Sequence, residues 1–91
     1  MSRTVVITGG NRGIGRALTA SFAEAGYNVV VGSRNSNDVE AISPGRIKFV
    51  STDVRDQAAH RQLVDVALAW GGRLDAFVNN AGFSEWRPIE E

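Results

Sequence analysis

Five of the twelve residues in "TVVITGGNRGIG", Thr4 to Gly15, are glycine or asparagine, and they stand directly behind an apolar β-branched run. A loop that leaves a strand and opens a helix presents unpaired backbone N–H groups at the positive end of the helix dipole, and together these hold a phosphate. Gly9 permits the tight turn out of the strand, Gly13 lets a pyrophosphate approach the backbone, and Gly15 lets the helix lie close to the sheet. The spacing is Gly-x-x-x-Gly-x-Gly; a G-x-G-x-x-G pattern counted from Gly13 fails at Leu18. The glycines alone also suit a turn that merely connects two elements. Other reactive types are scarce. The absence of cysteine excludes a disulfide framework, a thiolate nucleophile and a Cys-ligated metal. His60 has no ligand-type residue three or four positions on and reads as an exposed helical residue.

The elements that must position the loop are legible as a rhythm. "TVVIT" (4–8) and "NVVVG" (28–32) are continuous apolar runs, as in central parallel strands covered on both faces. "RIKFVS" (46–51) alternates, and Lys48 within it suits the rim of a sheet. "LDAFVN" (74–79) is the fourth strand. Ile14, Leu18, Phe22 and Ala25 give the first helix one apolar face, and Gly26 ends it in left-handed conformation. The second helix is capped by Asp56, carries the stripe Leu63, Val66, Ala67 and Trp70, and stops at Gly71-Gly72. The crossover over 33–45 has room for about two helical turns, with a turn at Pro44-Gly45.

Strands alternating with helices imply an α/β fold, and right-handed crossovers then dictate the strand order 3-2-1-4. This is the first half of a doubly wound parallel sheet, which binds ligands outside the strand carboxyl ends where the order reverses, between strands one and four. The glycine loop lies there. Ten basic residues balance ten acidic ones, so no broad positive field steers the chain to nucleic acid or an anionic membrane. The apolar run behind Met1-Ser2-Arg3 is too short for a signal peptide or a membrane span, and the expected location is the cytoplasm.

Thr8-Gly9-x-x-x-Gly13-x-Gly15 resembles the cofactor loop of the short-chain dehydrogenase/reductase family, and two further segments agree, Asp53-Val54 after the third strand and "NNAG" (79–82) after the fourth. The resemblance implies a Rossmann-type fold and a nicotinamide dinucleotide as cofactor. It implies contacts from Gly9, Asn11, Arg12, Gly13, Ile14 and Gly15 in the loop, and from Asp53 and Val54 at the adenine. It also implies contacts from Asn80, Ala81 and Gly82 at the nicotinamide ribose, with Asn79 mainly bracing the sheet. An acid at the end of strand two would bond the 2′-hydroxyl of NAD; here Ser33 stands there, followed by Arg34, and with Arg12 this favours the 2′-phosphate of NADP over NAD. Solvated surface arginines are the plain alternative.

The family's acid/base pair, Tyr-x-x-x-Lys, has no counterpart: the only tyrosine is Tyr27 and the only lysine is Lys48. Its serine and catalytic Asn fall beyond the NNAG segment, and Ser84 comes too early for that role. No catalytic residue or metal ligand is therefore assigned, and the 91 residues alone are expected to be inactive. "GFSEWRPIEE" reads as the opening of a helix at Pro88, leaving Phe83 and Trp86 beside an uncovered fourth strand. Residues 1–91 are accordingly expected to be the N-terminal portion of a single dinucleotide-binding domain in a longer, homo-oligomeric reductase acting on a small alcohol or carbonyl compound. A non-catalytic dinucleotide-binding or redox-sensing module, and a non-functional fragment, are the competing readings.

Overall fold

The computed structural model describes residues 2–9, 13–53 and 55–80. Strands β1 (Thr4–Thr8), β2 (Asn28–Ser33), β3 (Ile47–Ser51) and β4 (Ala76–Asn79) pair in parallel in the order β3-β2-β1-β4. This is the doubly wound order set by right-handed crossovers. Thr8 lies opposite both Gly32 and Asn79, so β1 and β4 finish level and β2 runs one residue further, to Ser33.

The continuous apolar runs have a direct cause. On one face of the sheet Val5, Ile7, Val29 and Val31 are buried with Leu18, Phe22 and Ala23 of helix α1 (Gly13–Glu24). On the other, Val6 and Val30 are buried with Leu63 of helix α2 (Gln57–Val66) and with Ala67. Each fully buried valine or isoleucine contributes about 1.5–3 kcal/mol, and a polar residue anywhere in these runs would face one helix layer or the other.

The helix faces differ from the expected stripes. In α1 the buried residues are Gly15, Thr19 and Ala23, whereas Ile14 is 70% exposed and Ala25 is exposed. Gly15 sets this rotation, because it lies against the Gly9 carbonyl and the ridge at i, i+4 and i+8 follows from it. Ile14, about 100° away around the axis, then points outward. The helix ends as its sequence implies. Gly26 takes φ +95°, its N–H bonds the Ala23 carbonyl, the Tyr27 N–H bonds the Phe22 carbonyl, and the Phe22 and Tyr27 rings meet edge to face at 4.9 Å.

Asp56 caps α2, accepting the Ala58 N–H at 2.9 Å. The buried ridge is Ala59, Leu63 and Ala67, and it continues to Gly71, which packs on the side chain of Thr4. Residues Ala67–Gly71 form a π-helical turn that Gly72 closes. This wider turn sets Gly71 rather than Trp70 over β1, so Trp70, expected in the stripe, is exposed. His60 is half-buried, its ring 5.6 Å from that of Phe77, rather than exposed. The fourth strand begins at Ala76 and not at Leu74, because the Asp75 carboxylate takes the Thr4 N–H at 2.8 Å in place of a ladder carbonyl. The crossover between β2 and β3 contains a single 3-10 turn, Val39–Ile42, and β3 with its exposed Lys48 forms one rim.

Candidate functional site

At the point where the strand order reverses, a small hydrogen-bonded latch joins β1 to β4. The buried Thr8 hydroxyl donates to Asn79 Oδ1 at 2.9 Å and accepts the Asn80 backbone N–H at 3.0 Å. The Asn80 amide then donates to the Gly9 carbonyl at 3.3 Å. Gly9 turns the chain out of β1 at φ +69°, with its own N–H bonded to the Gly32 carbonyl at 2.8 Å. The first turn of α1 rests on this latch. A Cβ on Gly15 would collide with the Gly9 carbonyl oxygen and come within 2.5 Å of Asn80 Nδ2. At Gly13, by contrast, no heavy atom of the described residues beyond its chain neighbour lies within 4 Å of the Cβ position. The backbone at the helix start thus carries no side chain at Gly13, which suits a phosphate group.

A charged cluster lies at the ends of β2 and β3. The Ser33 carbonyl accepts the Thr52 N–H at 2.8 Å, tying the two strand ends together. Arg34 Nη2 stands 3.6 Å from Asp53 Oδ2. Arg55 binds Asp53 more closely, with Nε 3.2 Å from Oδ1, Nη2 3.3 Å from Oδ2 and its backbone N–H 3.1 Å from Oδ1. The bonds from Arg55 hold the Asp53 carboxyl at about 2, well below the usual carboxylate range. Asp53 thus also shapes the turn ahead of α2. The segment behind Arg34 is anchored to α1 by Arg16, whose Nη1 donates to the Asn37 carbonyl at 2.9 Å. Asn37 and Asp38 both have positive φ there, a conformation their side chains tolerate better than most.

Gly9, Gly13, Ile14, Gly15 and Asn80 therefore gather at the β1/β4 junction, and Ser33, Arg34 and Asp53 at the β2/β3 ends. Asn11, Arg12, Val54, Ala81 and Gly82 lie outside the described residues. Sequence reasoning passed over two participants. Thr8 offered a signal, a hydroxyl closing an otherwise apolar strand; Arg55 offered only its position two residues after an acid. A cleft of about 340 Å³ lined by Ser36, Asp38, Glu40, Ala41 and Phe49 lies along the β3 rim. Among the described residues no group of three His, Cys, Asp or Glu side chains could hold a metal, and no helix is long and apolar enough to cross a membrane.

The family model for short chain dehydrogenases matches residues 3–91. The L-fucose dehydrogenase of Bos taurus is 38% identical over 84 residues, covering 89% of this chain and 31% of that protein. The crystal structure of a short chain dehydrogenase from Bacillus anthracis superposes with a TM-score of 0.78 at 30% identity, covering 87% of this chain and 34% of that one. ElxO, solved with NADPH bound, superposes with a TM-score of 0.75 at 30% identity, covering 88% and 35%. The chain spans about a third of the length of the curated relatives it matches.

Proposed function

The chain belongs to the short chain dehydrogenase family, oxidoreductases that bind nicotinamide dinucleotides, and from that membership we propose that it supplies the cofactor-holding part of an NADP-preferring enzyme interconverting an alcohol and a carbonyl compound. Residues 1–91 are then the N-terminal portion of one dinucleotide-binding domain. Gly9, Asn11, Gly13, Ile14 and Gly15 hold the pyrophosphate, Asp53 and Val54 the adenine, and Asn80, Ala81 and Gly82 the nicotinamide ribose. Ser33 and Arg34, with Arg12, receive the 2′-phosphate. The bound cofactor supplies the hydride. The proton at the substrate oxygen comes from a group outside these residues, since Tyr27 packs on Phe22 at the amino end of β2 and Lys48 sits on the β3 rim, both away from the strand carboxyl ends.

The observation that carries this reading is Arg34, exposed at the end of β2 where an acid would select NAD. The NADPH-bound neighbour supports it. Titrating NADPH and NADH into the wild type and Arg34→Asp tests it. The variant is expected to lose about one to two decades of preference for NADPH, as expected for one lost charge-assisted hydrogen bond. An unchanged ratio of the two dissociation constants overturns Arg34 as the phosphate clamp.

A further inference from the structure

The cluster at the ends of β2 and β3 is unequally shared. Arg55 engages both carboxylate oxygens of Asp53 at 3.2 and 3.3 Å and adds a backbone N–H at 3.1 Å, whereas Arg34 stands off at 3.6 Å, beyond hydrogen-bond length. Asp53 Oδ1 therefore accepts twice from one residue, and the Arg34 guanidinium keeps its donors, with 63% of its side chain exposed. Without Arg55 the same carboxylate would face Arg34 alone, as a fixed competitor for the guanidinium and a repulsive charge beside any incoming phosphate.

We propose that Arg55 is a positioning residue for cofactor discrimination: by occupying and neutralising Asp53, it leaves Arg34 available to the 2′-phosphate of the adenosine ribose. The inference rests on the NADP reading above. With Arg55 the cluster carries two positive charges against one negative; without it the charges cancel. Asp53, held at about 2 by its bonds from Arg55, is an anion throughout the neutral range, so this neutralisation is a standing requirement. A purely structural Arg55, shaping the turn before α2, would affect NADPH and NADH alike, because the two cofactors differ only at the 2′ position.

The test measures dissociation constants for NADPH and NADH in the full natural chain, for wild type, Arg55→Gln and the double variant Asp53→Asn/Arg55→Gln. In Arg55→Gln the preference for NADPH should fall about five- to tenfold through weaker NADPH binding, and the loss should shrink as ionic strength rises. In the double variant the preference should return, since the competing carboxylate is gone. A wild type that prefers NADPH, combined with an Arg55→Gln variant that weakens both cofactors equally or changes neither, overturns the inference and leaves the NADP reading standing. A wild type without preference overturns that reading, and the role of Arg55 falls with it. A double variant no better than the single one also counts against it, because the carboxylate would then not be the competitor.

Discussion

Thr8 closes a strand of valines and isoleucine with a buried hydroxyl that serves two partners, donating to Asn79 at the end of β4 and accepting the Asn80 N–H just beyond it. Replacing it with valine conserves volume but removes both hydrogen bonds, so the cost falls on the half-buried Asn80 N–H, which loses its acceptor, while the exposed Asn79 amide can turn to water. Thr8→Val is expected to lower unfolding stability by about 1–3 kcal/mol, read from urea denaturation; an unchanged midpoint would mean that Asn79 and Asn80 find other partners. The residue type at this position was legible, because a polar side chain ending an apolar run needs an explanation. Its partners were not, since they lie 71 positions or more away and only strand pairing brings them near. Arg55 illustrates the same limit more sharply. Its chemistry was visible, but a sequence does not say which of two nearby arginines holds an aspartate at 3.2 Å and which at 3.6 Å.

The helices show which patterns translate into elements and which do not. Caps read well because they are local: Asp56, Gly26 and Gly72 act within a few residues of where they stand. Faces read less well, because apolarity alone does not decide burial. Ile14 and Trp70 are apolar and exposed, while Gly15 is buried against the Gly9 backbone and the half-buried Gly71 lies over Thr4. The close approach of helix to sheet, set by small residues, decides the rotation. Two alanine substitutions separate these effects. Gly26→Ala meets no neighbour within 4 Å but must hold φ +95°, which costs about 1–2 kcal/mol. Gly15→Ala instead drives a methyl into the Gly9 backbone and the Asn80 amide, obstacles that yield only if α1 moves off the latch. Its loss should be larger, near or above the upper end of the roughly 1–3 kcal/mol typical of overpacking, and Gly26→Asn should recover most of the smaller one. Equal denaturation midpoints for Gly15→Ala and Gly26→Ala would contradict the close packing at Gly15.

Across the whole molecule the sheet sets both where the site forms and where the chain is vulnerable. Strand order was readable from crossover handedness, and Lys48 correctly marked β3 as a rim. How that rim is protected was hidden. Val29 bonds the Arg46 carbonyl and Thr52 bonds the Ser33 carbonyl, so the even-numbered groups of this segment face β2 and the Phe49 N–H faces outward. An outward N–H on a rim strand is a template for pairing with another chain. Here the Glu40 carboxylate, carried by the 3-10 turn, accepts it at 2.8 Å. The short crossover that leaves no room for a full helix thereby places an acid where it blocks the edge. Glu40→Ala exposes this donor with little effect on the buried core, because Glu40 is itself exposed. Sedimentation velocity over a concentration series should then show self-association at protein concentrations where the wild type sediments unchanged, and the effect should be absent if the rim is protected by Lys48 alone.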